Sequence, residues 1–118
     1  MKLIKKNNAD IQNRSDGRVV VYSTPIDIPK NTKNIGLISV KTPKGCDEVL
    51  HKHPDSTEIF FHFTEGQIMV NGKKYSLEKG DIVILEPGDE HKQIAENEID
   101  IVALRIPLSN DKVIIGDS

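Results

Sequence analysis

The chain has 118 residues, of which 36% are hydrophobic and 29% are charged, the composition of an ordinary globular protein. Its formal net charge is −2, without the basic field that a nucleic-acid backbone requires, so we expect no nucleic-acid partner. A single cysteine excludes an internal disulfide, and no apolar run is long enough for a signal peptide or a bilayer span. We therefore expect a cytoplasmic protein without a membrane partner.

In the first third of the chain the sequence indicates secondary structure less clearly than in the rest. Residues 1–13 are polar and predict a loose arm or a short edge strand. The β-branched run at 19–22 follows a turn at 15–17 and predicts a strand. Residues 24–34 contain two prolines and read as a surface connection.

Short strands separated by turn residues fill the rest of the chain. The Asn71-Gly72 pair predicts a two-residue type I′ hairpin, because both residues tolerate positive φ. Residues 113–115 either add an edge strand or fray. No segment has a sustained helical period, so the pattern predicts an all-β sandwich or barrel. Besides the hairpin, its main strands are predicted at 35–41, 49–53, 58–63, 82–85, 91–94 and 99–106.

Two separate stretches carry potential metal ligands. His51 and His53 are two residues apart, and alternate residues of a strand point to the same side. A turn then lets Glu58 point to that same interior. Residues 86–89 have Pro and Gly at the positions that a type II turn requires, and His91 follows. Three imidazoles and a carboxylate are thus available to one divalent transition metal: Fe, Mn, Ni, Zn or Co.

These stretches resemble the two motifs of the cupin family over roughly residues 35–106. The resemblance implies a cupin double-stranded β-helix, or jelly-roll barrel, and a homodimer. We expect one domain over residues 1–118, with its core at about 35–106, an N-terminal arm and a short C-terminal tail. Family members bind the metal at the positions of His51, His53, Glu58 and His91. The first motif is followed at Gly45, His51, His53, Glu58 and Gly66, and the second at Gly80, Pro87, Gly88 and His91.

The strand that begins at Glu58 raises a further catalytic candidate. If side chains alternate from Glu58, His62 faces inward, and its near-neutral pKa suits a general acid or base. A bulge in this strand would turn it outward, and a surface or partly buried histidine is the alternative. Alternation also points the odd-numbered apolar residues from Ile59 to Phe63 away from the barrel interior. That apolar face is a candidate dimer interface.

Four other residues lie near the motifs. Cys46 is expected to be a small buried hydrophobic residue. Arg105 either grips an anionic substrate at the barrel mouth or forms a salt bridge at the surface. Glu86 and Asp89 flank the predicted turn and are expected to be solvated.

The residues favour metal-dependent binding and turnover of a small polar metabolite inside the barrel. One chemistry is isomerisation or lyase chemistry on a hydroxylated molecule, with the metal as Lewis acid and a base such as His62. Another is oxygen-dependent cleavage at Fe(II). The alternative is a non-catalytic ligand-binding or sensor protein. A second carboxylate or histidine in the pocket would favour proton transfer, whereas an apolar pocket would favour binding or oxygen chemistry.

Overall fold

The computed structural model describes residues 1–116. Within that range the chain forms twelve strands and one short 3-10 helix at Lys6–Asn8, and no helix is long and apolar enough to cross a membrane. The strands are β1 (Lys2–Ile4), β2 (Asp10–Asn13), β3 (Val19–Tyr22), β4 (Gly36–Thr42), β5 (Leu50–Lys52), β6 (Thr57–His62), β7 (Gly66–Val70), β8 (Lys73–Leu77), β9 (Ile82–Leu85), β10 (His91–Ile94), β11 (Ile99–Ile106) and β12 (Val113–Gly116).

The main strands form two five-stranded antiparallel sheets, which confirms the all-β prediction. One sheet has the order β1-β9-β6-β11-β4 and the other β12-β5-β10-β7-β8. Strands β2 and β3 pair only with each other among residues 1–116. The predicted N-terminal arm supplies β1 beside β9, and residues 113–115 form an edge strand beside β5 rather than fraying. Residues 117–118 of the predicted tail lie outside the described range.

The core lies between the two sheets, and strand β9 shows how the sequence builds it. All four residues of β9 are buried. Val83 and Leu85 belong to the main core, whereas Ile82 and Ile84 belong to a smaller apolar cluster with Ile59. Both faces of β9 are therefore covered, which is why its sequence is continuously apolar rather than alternating.

Two turns and one strand position the residues that carry the chemistry. Asn71 and Gly72 both have positive φ, at 49° and 82°, as the type I′ hairpin requires. Gly88 has a φ of 88°, and the Asp89 N–H donates to the Glu86 carbonyl at 3.0 Å, as expected for the type II turn. Strand β6 pairs with β11 in continuous register, so no bulge reverses its alternation.

Candidate metal centre

The candidate ligands meet in the space between the two sheets. His51 on β5 and His91 on β10 are direct cross-strand partners. His53 follows β5, where its carbonyl accepts a hydrogen bond from the Gly88 N–H at 3.0 Å. The Pro-Gly turn is thereby tied to the histidine strand. Glu58 extends from β6 of the opposite sheet toward the same point.

The three histidines form a compact cluster. All three are buried, and one ring nitrogen from each lies within 4.8 Å of the others. The ring centroids of His51 and His91 are 4.4 Å apart, and those of His53 and His91 are 6.0 Å apart. Three buried imidazoles at this separation can hold a metal ion.

Hydrogen bonds fix which nitrogen of each ring is free. The Nδ1 of His51 lies 2.8 Å from the Val49 carbonyl, and the Nδ1 of His91 lies 2.9 Å from the Asp89 carbonyl. The Nδ1 of His53 lies 2.9 Å from Asp111 Oδ1. Carbonyl and carboxylate oxygens only accept, so each Nδ1 must carry the proton. In the neutral rings the Nε2 atoms carry the lone pairs, as metal ligation requires.

The carboxylate of Glu58 is also oriented. Arg105 donates to its Oε2 from two guanidinium nitrogens, at 3.2 and 3.3 Å. Its Oε1 lies 3.2 Å from the Nε2 of His91 and 3.5 Å from that of His53. Neither Oε1 nor the His91 Nε2 has a hydrogen-bond partner among the described residues. Buried lone pairs that converge in this way are unfavourable unless a cation lies among them, so the donor set fits a divalent ion.

The electrostatics of the cluster agree with a metal-binding state. Burial lowers the pKa of His51 to about 4, so its ring is neutral and able to ligate at neutral pH. Burial would raise the pKa of Glu58, but the neighbouring His91 and His53 and the Arg105 guanidinium hold it below its ordinary value. Glu58 is therefore ionised at neutral pH.

A cavity of about 200 Å³ adjoins the cluster. Its polar lining includes three residues that the sequence analysis did not single out: Glu48, Gln93 and Lys112. Gln93 follows His91 by two residues on β10, so strand alternation was a signal that could have found it. Glu48 and Lys112 lie outside the regular strands and carried no such signal. Burial raises the pKa of Glu48.

Asp111 is a second contributor that sequence reasoning missed. Besides His53, its carboxylate accepts from the Asp55 N–H at 2.9 Å and from the Ser56 hydroxyl at 3.0 Å. Burial would raise the pKa of Asp111, but these hydrogen bonds hold it below its ordinary value. The segment before β12 thus holds both His53 and the turn that follows it. Nothing in the local sequence around Asp111 indicated this long-range contact.

His62 faces inward, as alternation predicted, and is completely buried. It does not line the cavity beside the histidine cluster, and neither of its ring nitrogens has a hydrogen-bond partner among residues 1–116. Burial lowers its pKa. Its catalytic role stays a prediction.

The other predicted residues have mixed outcomes. The prediction that Cys46 is buried is wrong, because it is exposed in the turn where its N–H donates to the Pro43 carbonyl. Arg105 forms a salt bridge, as one of the two alternatives predicted, but its partner is the buried Glu58 beside the cavity and not a group at the surface. Glu86 is exposed as predicted, but Asp89 is not freely solvated. Asp89 accepts hydrogen bonds from the Asn71 side chain and the Glu86 N–H.

Comparison with known proteins agrees with this fold. Residues 39–106 match the family model described as the cupin domain, and the chain belongs to this family. It is 30% identical over 95 residues to an uncharacterized protein of Methanocaldococcus jannaschii, a match that covers 78% of this chain and 75% of that protein.

Solved structures share the fold at low sequence identity. An uncharacterized Klebsiella pneumoniae protein with a double-stranded β-helix domain has a TM-score of 0.65 at 20% identity, covering 74% of this chain and 78% of that one. A DMSP lyase from Ruegeria pomeroyi has a TM-score of 0.63 at 23% identity, covering 70% of this chain and 43% of the lyase. A salicylate 1,2-dioxygenase from Pseudaminobacter salicylatoxidans has a TM-score of 0.58 at 19% identity, covering 62% of this chain and 21% of the dioxygenase. At these identities the likeness establishes the fold alone.

Proposed function

We propose that this cupin binds one divalent transition metal through His51, His53, His91 and Glu58, and that it turns over a small polar metabolite in the adjoining cavity. The observation that carries the proposal is the fixed orientation of the three imidazoles. Each Nδ1 is held by an oxygen acceptor, and one nitrogen of each ring lies within 4.8 Å of the others. Fe, Mn, Ni, Zn and Co all suit such a ligand set. When bound, the ion would polarise a carbonyl of the metabolite.

The second carboxylate of the cavity favours proton transfer over the competing chemistries. Glu48 lines the cavity together with His51 and His91 and is part-buried there. A carboxylate in that position can accept a proton from a bound metabolite and return it to a neighbouring atom. Arg105 meanwhile holds the Glu58 Oε2. We therefore infer an isomerase or lyase type of reaction, with Glu48 as the proton-transfer group that contacts the substrate.

The structural neighbours are compatible with two of the chemistries considered. One is named as a lyase and another as a dioxygenase. A structure of the dioxygenase with bound gentisate has also been solved. Isomerase or lyase chemistry predicts hydrogen exchange with solvent, whereas oxygen-dependent cleavage predicts oxygen consumption. A non-catalytic sensor protein would show neither hydrogen exchange nor oxygen consumption.

The test begins with elemental analysis of protein purified without an affinity tag. We expect about one divalent metal per chain. The metal-loaded protein is then incubated in deuterium oxide with small hydroxylated carbonyl compounds and carboxylates, while mass spectrometry follows deuterium incorporation and an electrode follows dissolved oxygen. We expect deuterium incorporation, lost in Glu48→Gln while its metal content is retained. Absence of metal in fresh protein, with none taken up from Fe, Mn, Ni, Co or Zn salts, would contradict the proposal.

Metal affinity of two histidine variants separates the ligands from other buried histidines. His53→Ala should weaken metal binding far more than His62→Ala, because His62 lies outside the cluster of converging nitrogens. Equal losses in the two variants would count against the ligand assignment.

We also propose that residues 1–118 form one cupin domain and that two copies form a homodimer. The support for the dimer is a groove of about 570 Å³ between β6 and the β2–β3 hairpin, whose apolar lining includes Ile11, Val19, Val21 and Phe61. Apolar surfaces of this kind often mark interfaces. Light scattering at tens of micromolar should give twice the 13.2 kDa chain mass. Phe61→Ser should give the monomer mass, and Leu37→Ser, at an exposed site outside the groove, should not.

A further inference from the structure

The cavity beside the metal centre contains an amide with no partner. Gln93 is only 4% exposed, and neither its Oε1 nor its Nε2 has a hydrogen-bond partner among residues 1–116. Its side chain lines the cavity together with His51, His91 and Glu58. Buried amides in proteins are almost always hydrogen-bonded, because leaving one unpaired is costly. An unpaired donor and an unpaired acceptor on the same side chain therefore point to a ligand that supplies both complements.

The backbone holds this amide in place. Gln93 pairs with Ile68 in the sheet, and its N–H donates to Glu48 Oε1 at 3.2 Å. Because Gln93 follows His91 by two residues on the same strand, both side chains point to the same side. The backbone of Gln93 is thus fixed relative to the histidine cluster, and its side chain stays on the cavity side of the sheet.

The charges around the cavity select the ligand further. Two cationic side chains, Lys112 and Arg105, and two carboxylates, Glu48 and Glu58, line the cavity. These four charges cancel, so a divalent ion would leave the cavity with an excess of positive charge. An anionic ligand is favoured in such a site over a neutral ligand of the same shape.

The volume and the remaining lining set the size of the ligand. A cavity of about 150 Å³ accepts benzene, so one of about 200 Å³ takes a molecule slightly larger than that. Ile38, Val40 and Ile101 contribute an apolar wall. The ligand therefore has a short apolar body and polar groups at one end.

We propose that Gln93 is the specificity-determining residue of this site and recognises the hydroxyl group of a small hydroxylated carboxylate. The hydroxyl supplies a donor and an acceptor, which match the Oε1 and Nε2 of the amide. Lys112, an exposed residue that lines the cavity, favours the carboxylate charge. This inference rests on the proposed metal-dependent function and names its substrate class.

The test compares three probes of nearly equal size by isothermal titration of the metal-loaded protein. Lactate carries the hydroxyl and the charge, isobutyrate replaces the hydroxyl with a methyl group, and lactamide removes the charge. The wild-type protein should bind lactate roughly tenfold more tightly than isobutyrate, the effect of one hydrogen bond in a buried site. Lactamide should also bind more weakly than lactate. Equal affinity for lactate and isobutyrate, or for lactate and lactamide, would overturn the proposal.

Variants assign the preference to the named residues. Gln93→Leu should bind lactate and isobutyrate equally, and Gln93→Met serves the same purpose if leucine disturbs the fold. Gln67→Leu is the matched control, since Gln67 lies on the neighbouring strand β7 and lines a different cavity. Lys112→Gln should weaken lactate binding but not lactamide binding, and Lys74→Gln, at an exposed position, should change neither. A lactate preference that survives both Gln93 variants would overturn the proposal.

Elemental analysis of the same samples keeps this inference separate from the proposed function. Protein that takes up no metal contradicts the proposed function. The probes are also titrated into chelated protein, where the hydroxyl preference should persist at lower affinity because the amide belongs to the chain. Metal-loaded protein without the lactate preference contradicts only the role of Gln93.

Discussion

The three histidines reach the same orientation through two kinds of contact. The Nδ1 of His51 and that of His91 each donate to the carbonyl two residues earlier in the chain, so their strands orient them locally. The Nδ1 of His53 instead donates to the carboxylate of Asp111, which lies 58 positions further along the chain. The orientation of one candidate ligand therefore depends on a residue outside both metal motifs. Such supporting contacts raise the basicity of a metal ligand and fix its tautomer.

Asp111→Asn should lower metal affinity by roughly 10- to 100-fold, the usual cost of losing a carboxylate behind a ligating histidine. Competition against a chromophoric chelator measures the change, at a temperature where circular dichroism shows both proteins folded. The control is Asp55→Asn, because the exposed side chain of Asp55 does not contact the histidines. Equal affinities in these two variants would show that Asp111 does not support His53.

Asp81 is a buried carboxylate that stabilises the fold rather than the site. It accepts from the Glu78 N–H at 2.7 Å and the Lys6 N–H at 2.9 Å, and it forms an ion pair with Lys5. Burial alone would raise its pKa, but these donors outweigh burial and hold the pKa below its ordinary value. Because the folded pKa lies below the unfolded one, the stability from Asp81 is fully present above about pH 4. It is lost as the pH falls through the folded value.

Asp81→Asn should lower the free energy of unfolding by roughly 2–3 kcal/mol at neutral pH, because Lys5 and the two N–H donors lose a charged acceptor. The deficit relative to wild type should begin to shrink below about pH 4, where the unfolded state binds a proton, and should level off only below the folded pKa of Asp81, where the native carboxylate is neutral too. Urea titrations across the pH range measure both effects. Asp16→Asn, at an exposed position, should stay within about 0.5 kcal/mol of wild type. The role of the charge would be refuted if Asp81→Asn stayed less stable than wild type by the same amount at every pH, including pH values at which Asp81 is protonated.

At the scale of elements, turn chemistry made much of the barrel predictable. Asn71-Gly72 and Pro87-Gly88 fixed where strands end, and the predicted strands at 82–85, 91–94 and 99–106 agree with the structure to the residue. These signals are local, because each turn type demands particular residues. The burial of Cys46 was predicted wrongly because residue type alone does not reveal that a turn lies at the surface.

The supporting contacts of the site could not be predicted in the same way. Asp111 lies 58 residues from His53, and only the assembled sheets bring the two together. Glu48 is just three residues before His51, but it lies outside the regular strands, so no alternation pattern predicted that it lines the cavity. The strand period did place His62 inward, but period alone does not tell which part of a barrel interior a residue occupies. The distance between that ring and the cavity depends on the packing of both sheets.

The β7–β8 hairpin is tied to the turn that precedes His91. The Asn71 side chain donates to Asp89 and accepts from the Glu90 N–H, both at 2.9 Å. Asn71→Gly keeps the positive φ but removes both hydrogen bonds, and should destabilise the protein by about 1–2 kcal/mol. Metal affinity should fall too, by a smaller factor than for loss of a ligand, because the turn loses two of its hydrogen bonds but keeps the backbone bonds from Gly88 to His53 and from Asn71 to Glu90. Thermal melts and chelator competition measure these effects.

Asn31→Gly is the matched control for that experiment. Asn31 also has positive φ, at 66°, but its side chain forms no hydrogen bond with the described residues. The control should change neither stability nor metal affinity by a comparable amount. If both variants behave alike, the contribution of Asn71 is conformational and does not come from its side-chain contacts.

At the scale of the whole molecule, the candidate metal centre joins parts that are distant in the chain. Strands β5 and β10 belong to one sheet, Glu58 belongs to the other, and Asp111 precedes the last described strand. An ion bound at this point would contact both sheets at once. Unfolding the barrel would therefore separate the ligands, so metal binding and folding should be coupled.

Removing the metal should lower the melting temperature of the protein. A ligand at 100 times its dissociation constant stabilises the folded state by about 2.7 kcal/mol, which for a domain of this size corresponds to a shift on the order of 10 °C. Thermal melts with and without chelator at neutral pH measure the shift. His53→Ala is the control, because its melting temperature should not respond to chelator once a ligand is lost. If chelation left the wild-type melting temperature unchanged in protein shown to contain metal, the ion would not be bound between the sheets.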